Sequence, residues 1–98
     1  MQPTSSSPSR AVAAISSTSY LRAALSIVLN TAEGAGRISP RDKASFYVRA
    51  RGSTTESAAV IDVCLCLNLI DEAQARQPKD MLDRIAQMLT KLIKAHQT

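Results

Sequence analysis

Apolar residues recur at helical rather than strand spacing through most of this chain, and the polar interruptions divide it into three segments. From Tyr20 to Ala32, positions Leu21, Ala24, Leu25, Val28 and Ala32 return every three or four residues, with Arg22, Ser26 and Asn30 on other faces. That spacing predicts a helix over about 19–33, which Ser19 or Thr18 can cap. Gly34 stands where a left-handed C′ residue ends a helix at least cost, and Gly36 adds a second flexible point to a tight turn over 32–38. The next start signal is the strongest. Ser39-Pro40-Arg41-Asp42 offers a capping hydroxyl, a ring that forfeits no intrahelical bond at the first position, and an acid at the positive dipole end. Phe46, Ala50, Ser53, Ser57, Ile61, Cys64 and Asn68 then share one face, predicting a helix to about residue 69, roughly 45 Å long. Gly52 falls inside it at a cost of about 1 kcal/mol relative to Ala, so a closely approaching backbone is expected there. Asp71 caps a last helix over 72–95 whose stripe is Met81, Leu82, Ile85, Leu89, Leu92 and Ile93; Pro78 is expected to kink or restart it.

Two stretches break this pattern. Residues 1–18 hold half of the serines and two of the four prolines, which predicts a disordered tail ahead of a helical bundle domain spanning 19–98. Ala58 to Ile70 reads AAVIDVCLCLNLI, apolar on all sides of a helix. With Ile61, Cys64 and Leu65 inward, Val63, Cys66 and Leu67 face outward and need an intermolecular cover, so these three are the candidate oligomer interface. The reading is an all-α fold: an antiparallel up-and-down bundle of three helices of four-helix-bundle type. Its expected core is Leu25, Val28, Phe46, Ala50, Ile61, Cys64, Leu65, Leu82, Ile85, Leu89 and Leu92. A core of this size is marginal without a partner.

Composition narrows the function. Hydrophobic residues make up 45 % of the 98 and aromatics only 3 %, which excludes general disorder. No charge-free run of eighteen apolar residues exists, so no membrane span is expected. The net charge is +4, and it is unevenly placed: residues 1–51 carry +5 and residues 52–98 carry −1. Arg22, Arg37, Arg41, Lys43, Arg49 and Arg51 form the candidate nucleic-acid-binding set, set against an ordinary solvated face without interleaved aromatics for base stacking. Cys64 and Cys66 lie two apart, about 200° around a helix, so they neither bridge nor share a metal. They are expected as reduced structural thiols, in keeping with a cytoplasmic location. With one histidine, His96, no nucleophile–base pair can be built, and no metal or cofactor is expected. The chain reads as a non-enzyme.

The residues also carry a family likeness. Leu25-Ser26-Ile27-Val28-Leu29-Asn30-Thr31-Ala32-Glu33-Gly34 followed by Gly36-Arg37 resembles the SIPxNIAEGxGR signature of the four-helix-bundle proteins encoded in 23S rRNA intervening sequences. Ala50-Arg51-Gly52-Ser53 with Glu56 resembles the family's ARGSxxE stretch, and Met88 to Ile93 is similar to its closing helix. The likeness covers about residues 19–95 and includes the accessory variability determinants of diversity-generating retroelements as relatives. Asn30, Glu33, Gly34, Gly36, Gly52 and Glu56 are the structural motif positions it marks. The long first helix of the family, usually with a Trp, has no counterpart in the motifs, so helices two to four are what this chain is expected to supply.

The resemblance implies a homo-oligomeric ring, commonly a pentamer, with a basic surface; in the retroelement branch that surface is associated with RNA or DNA and with a reverse transcriptase. It brings no catalytic residues. Antiparallel packing about Gly36 sets Arg22 level with Glu56, an expected ion pair, while Glu33 needs Arg37 or Arg41 to sit at a helix C-terminus. The function expected is that of an oligomeric accessory protein that binds RNA or DNA. The alternative is a protein-interaction or scaffold module that binds no nucleic acid.

Overall fold

The computed structural model describes residues 8–97, and it consists of α1 (Pro8–Gly36), α2 (Pro40–Cys66) and α3 (Glu72–Ala95). Successive helices run antiparallel: Ser26 of α1 meets Ser53 of α2, and Asp62 and Arg51 of α2 meet Lys79 and Thr90 of α3. Among the described residues there is no strand. The chain is therefore an all-α helical bundle.

Helix replaces much of the expected tail, because α1 begins at Pro8. Residues 8–18 are helical, and residues 1–7 of that tail lie outside the described residues. Proline is at home in a first helical turn, Ala13 and Ala14 are strong formers, and serine costs only about half a kcal/mol per residue. Thr18 bends its hydroxyl back onto the Ala14 carbonyl at 3.0 Å, as a polar side chain inside a helix does. Tyr20 then packs on the core through α2 and α3 residues.

The largest correction concerns which side of α1 faces inward. Ala23 and Ile27 are buried, whereas Leu25 and Val28, expected in the core, are 52 % and 62 % exposed. The α1–α2 seam is built from small and hydroxyl-bearing residues instead. The Ser53 hydroxyl donates to Ser26 Oγ at 2.7 Å, and Asn30 Nδ2 donates to the same oxygen and to the Ser26 carbonyl, each at 2.9 Å. Thr54 and Ser57, both buried, donate to the Ala50 and Ser53 carbonyls, so no hydroxyl of theirs is stranded without an acceptor. Short side chains let two helices approach closely. Leucines at those positions would hold them apart.

Two clusters make the core. Ile27, Ile61, Ala75 and Leu82 form one, and Tyr47, Ala50, Leu89 and Ile93 the other, with Ile85 packed against both. Tyr47 thus takes the place expected for Phe46, which is half-buried, and Ile93 that expected for Leu92, which is exposed. Cys64 and Leu65 are only half-buried. α1 and α3 both lie on α2 and make no backbone approach to each other. Across the helices the Cα envelope is 21 × 13 Å, and a cleft of about 360 Å³ opens between the outer helices, lined by Ala13, Tyr20, Cys64, Ile70 and Pro78. The three-helix bundle is open on that side.

The ends of the elements follow their sequences. Ser39 Oγ accepts from the Asp42 amide at 3.0 Å, with Pro40 at the first position. α2 stops three residues early, at Cys66, because Asn68 takes a left-handed φ of 58°. The Asn68 amide donates to the Leu65 carbonyl and the Leu69 amide to the Cys64 carbonyl, the paired bonds of a Schellman ending. Asn68 was expected on the buried face; its short polar side chain instead makes this conformation cheap. Asp71 and Gln74 exchange side-chain and backbone bonds at 2.7 and 2.8 Å, a full capping box. α3 does not restart at Pro78; it continues through the ring to Ala95. The capping box on one side and buried Ala75 and Leu82 around it hold the turn that proline would otherwise open.

Candidate nucleic-acid interface

The turn from α1 to α2 gathers four of the six candidate basic residues: Arg37, Arg41, Lys43 and Arg49. Gly34 makes the turn compact. A Cβ there would lie 2.8 Å from the Tyr47 ring and 3.2 Å from the Lys43 carbonyl, so only glycine lets α2 pass this close. The expected left-handed cap is not its role: among the described residues no glycine has a positive φ, and Gly36 lies within α1.

Each cation at the turn has a distinct neighbourhood. Arg37 Nη2 donates to Glu33 Oε2 at 2.7 Å, a pair one helical turn apart that offsets an acid at the negative end of α1. The Arg37 guanidinium also lies 4.6 Å from the centroid of Phe46, and Arg49 lies 4.7 Å from it. One ring thus draws two cations to its π surface, each contact contributing about 0.5–1 kcal/mol at an exposed site. Lys43 Nζ donates to the Ala35 carbonyl at 2.9 Å and to the Gly34 carbonyl at 3.4 Å, and so caps the C-terminus of α1 from the next helix. Arg41 has no ion pair or hydrogen bond among the described residues.

The other two stand elsewhere. Arg51 turns toward α3, where Nη1 donates to Thr90 Oγ1 at 3.4 Å. Arg22 is exposed on α1, about 22 Å along the axis from Arg37. Its expected partner, Glu56, is not engaged: the ion pairs among the described residues are Arg37–Glu33 and Lys79–Asp62. Gly52 also departs from expectation, since a Cβ there would meet nothing within 4 Å. Val63 and Leu67 are each 49 % exposed and Cys66 is exposed, so among the described residues the candidate oligomer interface stays open to solvent.

Sequence reasoning placed Phe46 in the core and so missed the Arg37–Phe46–Arg49 group. The available signal was the three-residue spacing of Phe46 and Arg49, which puts them side by side on a helix. On the opposite side of α2, Lys79 Nζ reaches Asp62 Oδ1 at 2.6 Å, and this bond together with the Asp62 charge raises the Lys79 pKa above its ordinary 10.5. No group of three or more potential metal ligands comes together among the described residues, and no helix there is long and apolar enough to cross a membrane.

An antiparallel arrangement of three helices, open on one side and hinged on a glycine turn with a basic rim, defines the class as a small all-α bundle protein. Residues 4–91 match the family model described as 23S rRNA-intervening sequence protein, and the chain belongs to that family. The match begins well ahead of residue 19, where the recognisable motifs start, and so takes in the first half of α1. No curated protein and no solved structure matches the chain.

Proposed function

We propose that this chain is a non-enzymatic, self-associating accessory protein of the cytoplasm whose α1–α2 turn engages the phosphate backbone of RNA or DNA. The observation that carries this reading is the Arg37–Phe46–Arg49 group beside Arg41. Three guanidiniums sit at one end of the molecule and are exposed at Arg37, Arg41 and Arg49. Arginine suits phosphate oxygens because its planar fork donates two parallel bonds. Lys43 and Arg51 serve the fold through their own bonds and are not part of the contact surface in this reading. A reverse transcriptase is the protein partner the family resemblance suggests.

Filter binding to a structured RNA at a series of salt concentrations tests it. With three phosphate contacts, log Kd is expected to rise with log salt at a slope of about 2–3. Arg41→Glu with Arg49→Glu should abolish binding near 50 mM salt without unfolding the chain, since both side chains are exposed. Binding absent at low salt, or indifferent to salt, contradicts the reading. A second reading, an interaction module that binds no nucleic acid, is favoured by the apolar exposure at Val63 and Leu67. It predicts association of the chain with no retention of RNA.

A further inference from the structure

Ile38, at the tip of the α1–α2 turn, is 96 % exposed, more than any other large apolar side chain among the described residues. An apolar residue just ahead of a helix cap ordinarily packs onto the fourth helical residue and fixes the angle at which the chain enters. The fourth residue of α2 is Lys43, which reaches instead to the Gly34 and Ala35 carbonyls. The exposure of Ile38 shows that the ordinary contact does not form. Its side chain adds nothing to the packing of the protomer. Its neighbours in the chain are cations: Arg37 precedes it, and Arg41 follows three residues on, without an ion pair among the described residues.

Beside this tip a shallow recess of about 600 Å³ lies between the first turns of α2 and the end of α3. Its lining combines apolar Ala44 and Val48 with Arg41, Ser45 and His96. His96 is fixed there by two contacts: Nδ1 donates to the Leu92 carbonyl at 2.8 Å, and its ring lies 5.8 Å from that of Tyr47. A concave surface with an apolar part and a few placed polar groups suits a flat heteroaromatic ring, which has an apolar face and a polar edge. Along α2, exposed Arg41 and Arg49 stand two turns apart, about 12 Å along the axis, with exposed Ser45 midway. The Phe46 ring steadies the Arg49 guanidinium. Arg37 stays bonded to Glu33 and is not needed here.

We infer that the nucleic acid held at this turn is unpaired there: one base seats in the recess, Ile38 packs against the next, and Arg41 and Arg49 hold the flanking phosphates. The inference rests on the phosphate contact proposed above and adds the form of strand that contact takes. Bases lie open to side chains in loops, bulges and single strands, where apolar and planar groups meet their faces. A duplex would satisfy Arg41 and Arg49 but keep its bases stacked inside, leaving the recess and Ile38 in water. A lipid surface fits less well. Even a single myristoyl chain binds a membrane only marginally, and Ile38 is a far smaller apolar group.

Fluorescence anisotropy on the full chain tests this with two RNAs, a hairpin with an unpaired loop and a duplex carrying the same number of phosphates. The hairpin should bind about tenfold tighter, the order of one base contact. Ile38→Ser should weaken hairpin binding by about tenfold and leave duplex binding unchanged. The salt slope should also hold, because no charge is lost. The variant should melt with the parent chain, since the side chain is exposed. Equal binding of the two RNAs, or a preference that survives Ile38→Ser, overturns the unpaired-base seat and leaves the phosphate contact standing. No binding of either RNA at about 50 mM salt overturns both. Binding to phosphatidylserine-containing vesicles that Ile38→Ser abolishes, with hairpin affinity untouched, also overturns the seat and assigns Ile38 to a lipid surface.

Discussion

α1 and α3 are of similar length and both pack on α2, yet they relate to solvent in opposite ways. α3 buries Ala75, Leu82, Leu89 and Ile93 on one side and shows mainly charged and glutamine side chains on the other, with Met81, Met88 and Leu92 exposed among them. α1 buries Ala23 and Ile27 and shows leucines and valine to water. Helix stability in a protein comes chiefly from burying one apolar face. α3 achieves this within the protomer; α1 achieves half of it. The larger apolar side chains of α1, Leu21, Leu25, Val28 and Leu29, stay more than half exposed.

Truncation is the sharpest way to break that contrast. Leu89→Ala, deep in the core, is expected to cost about 2–4 kcal/mol in urea unfolding. Leu25→Ala, measured on dilute chain, should cost under about 1 kcal/mol. Equal losses would mean that α1 is packed as α3 is.

The two motif glycines give a smaller, opposed pair of effects. Gly34→Ala drives a methyl into the Tyr47 ring and the Lys43 carbonyl and should destabilise by about 1–3 kcal/mol. Gly52→Ala adds a methyl in open space and should stabilise by up to about 1 kcal/mol. A stabilised Gly34→Ala would remove the close approach on which the turn depends.

The smallest effect is the pH dependence of the α2–α3 side. The bond to Asp62 raises the Lys79 pKa in the folded chain, so its contribution is complete below about 10.5 and fades as pH climbs through the raised value. The chain should lose a little thermal stability between about pH 10 and 12, and Asp62→Asn should flatten that loss. An unchanged slope in Asp62→Asn would show that the pair contributes nothing.

Much of this was written in the sequence where local chemistry decides. Ser39-Pro40-Asp42 and Asp71 with Gln74 cap α2 and α3 through contacts within four residues. The bundle class, the α1–α2 turn and half the core follow from spacing. What escaped depends on which face meets which neighbour. The α1 phase was misjudged because its inner side is Ala, Ser and Asn, less apolar than its outer side, and the deciding interaction is a hydroxyl bond from Ser53, twenty-seven residues away. Phe46 escaped for a related reason: with Tyr47 taking the core, its ring is left to the two arginines. Gly34 was legible as a constrained position but not as a contact with Tyr47.

Hydrogen exchange, followed residue by residue at two protein concentrations far apart, addresses the contrast between α1 and α3 most directly. Protection of α1 amides around Leu21–Leu29 should fall sharply on dilution while that of α3 around Leu82–Leu89 holds. Protection of α1 equal to that of α3 and indifferent to concentration would contradict the account.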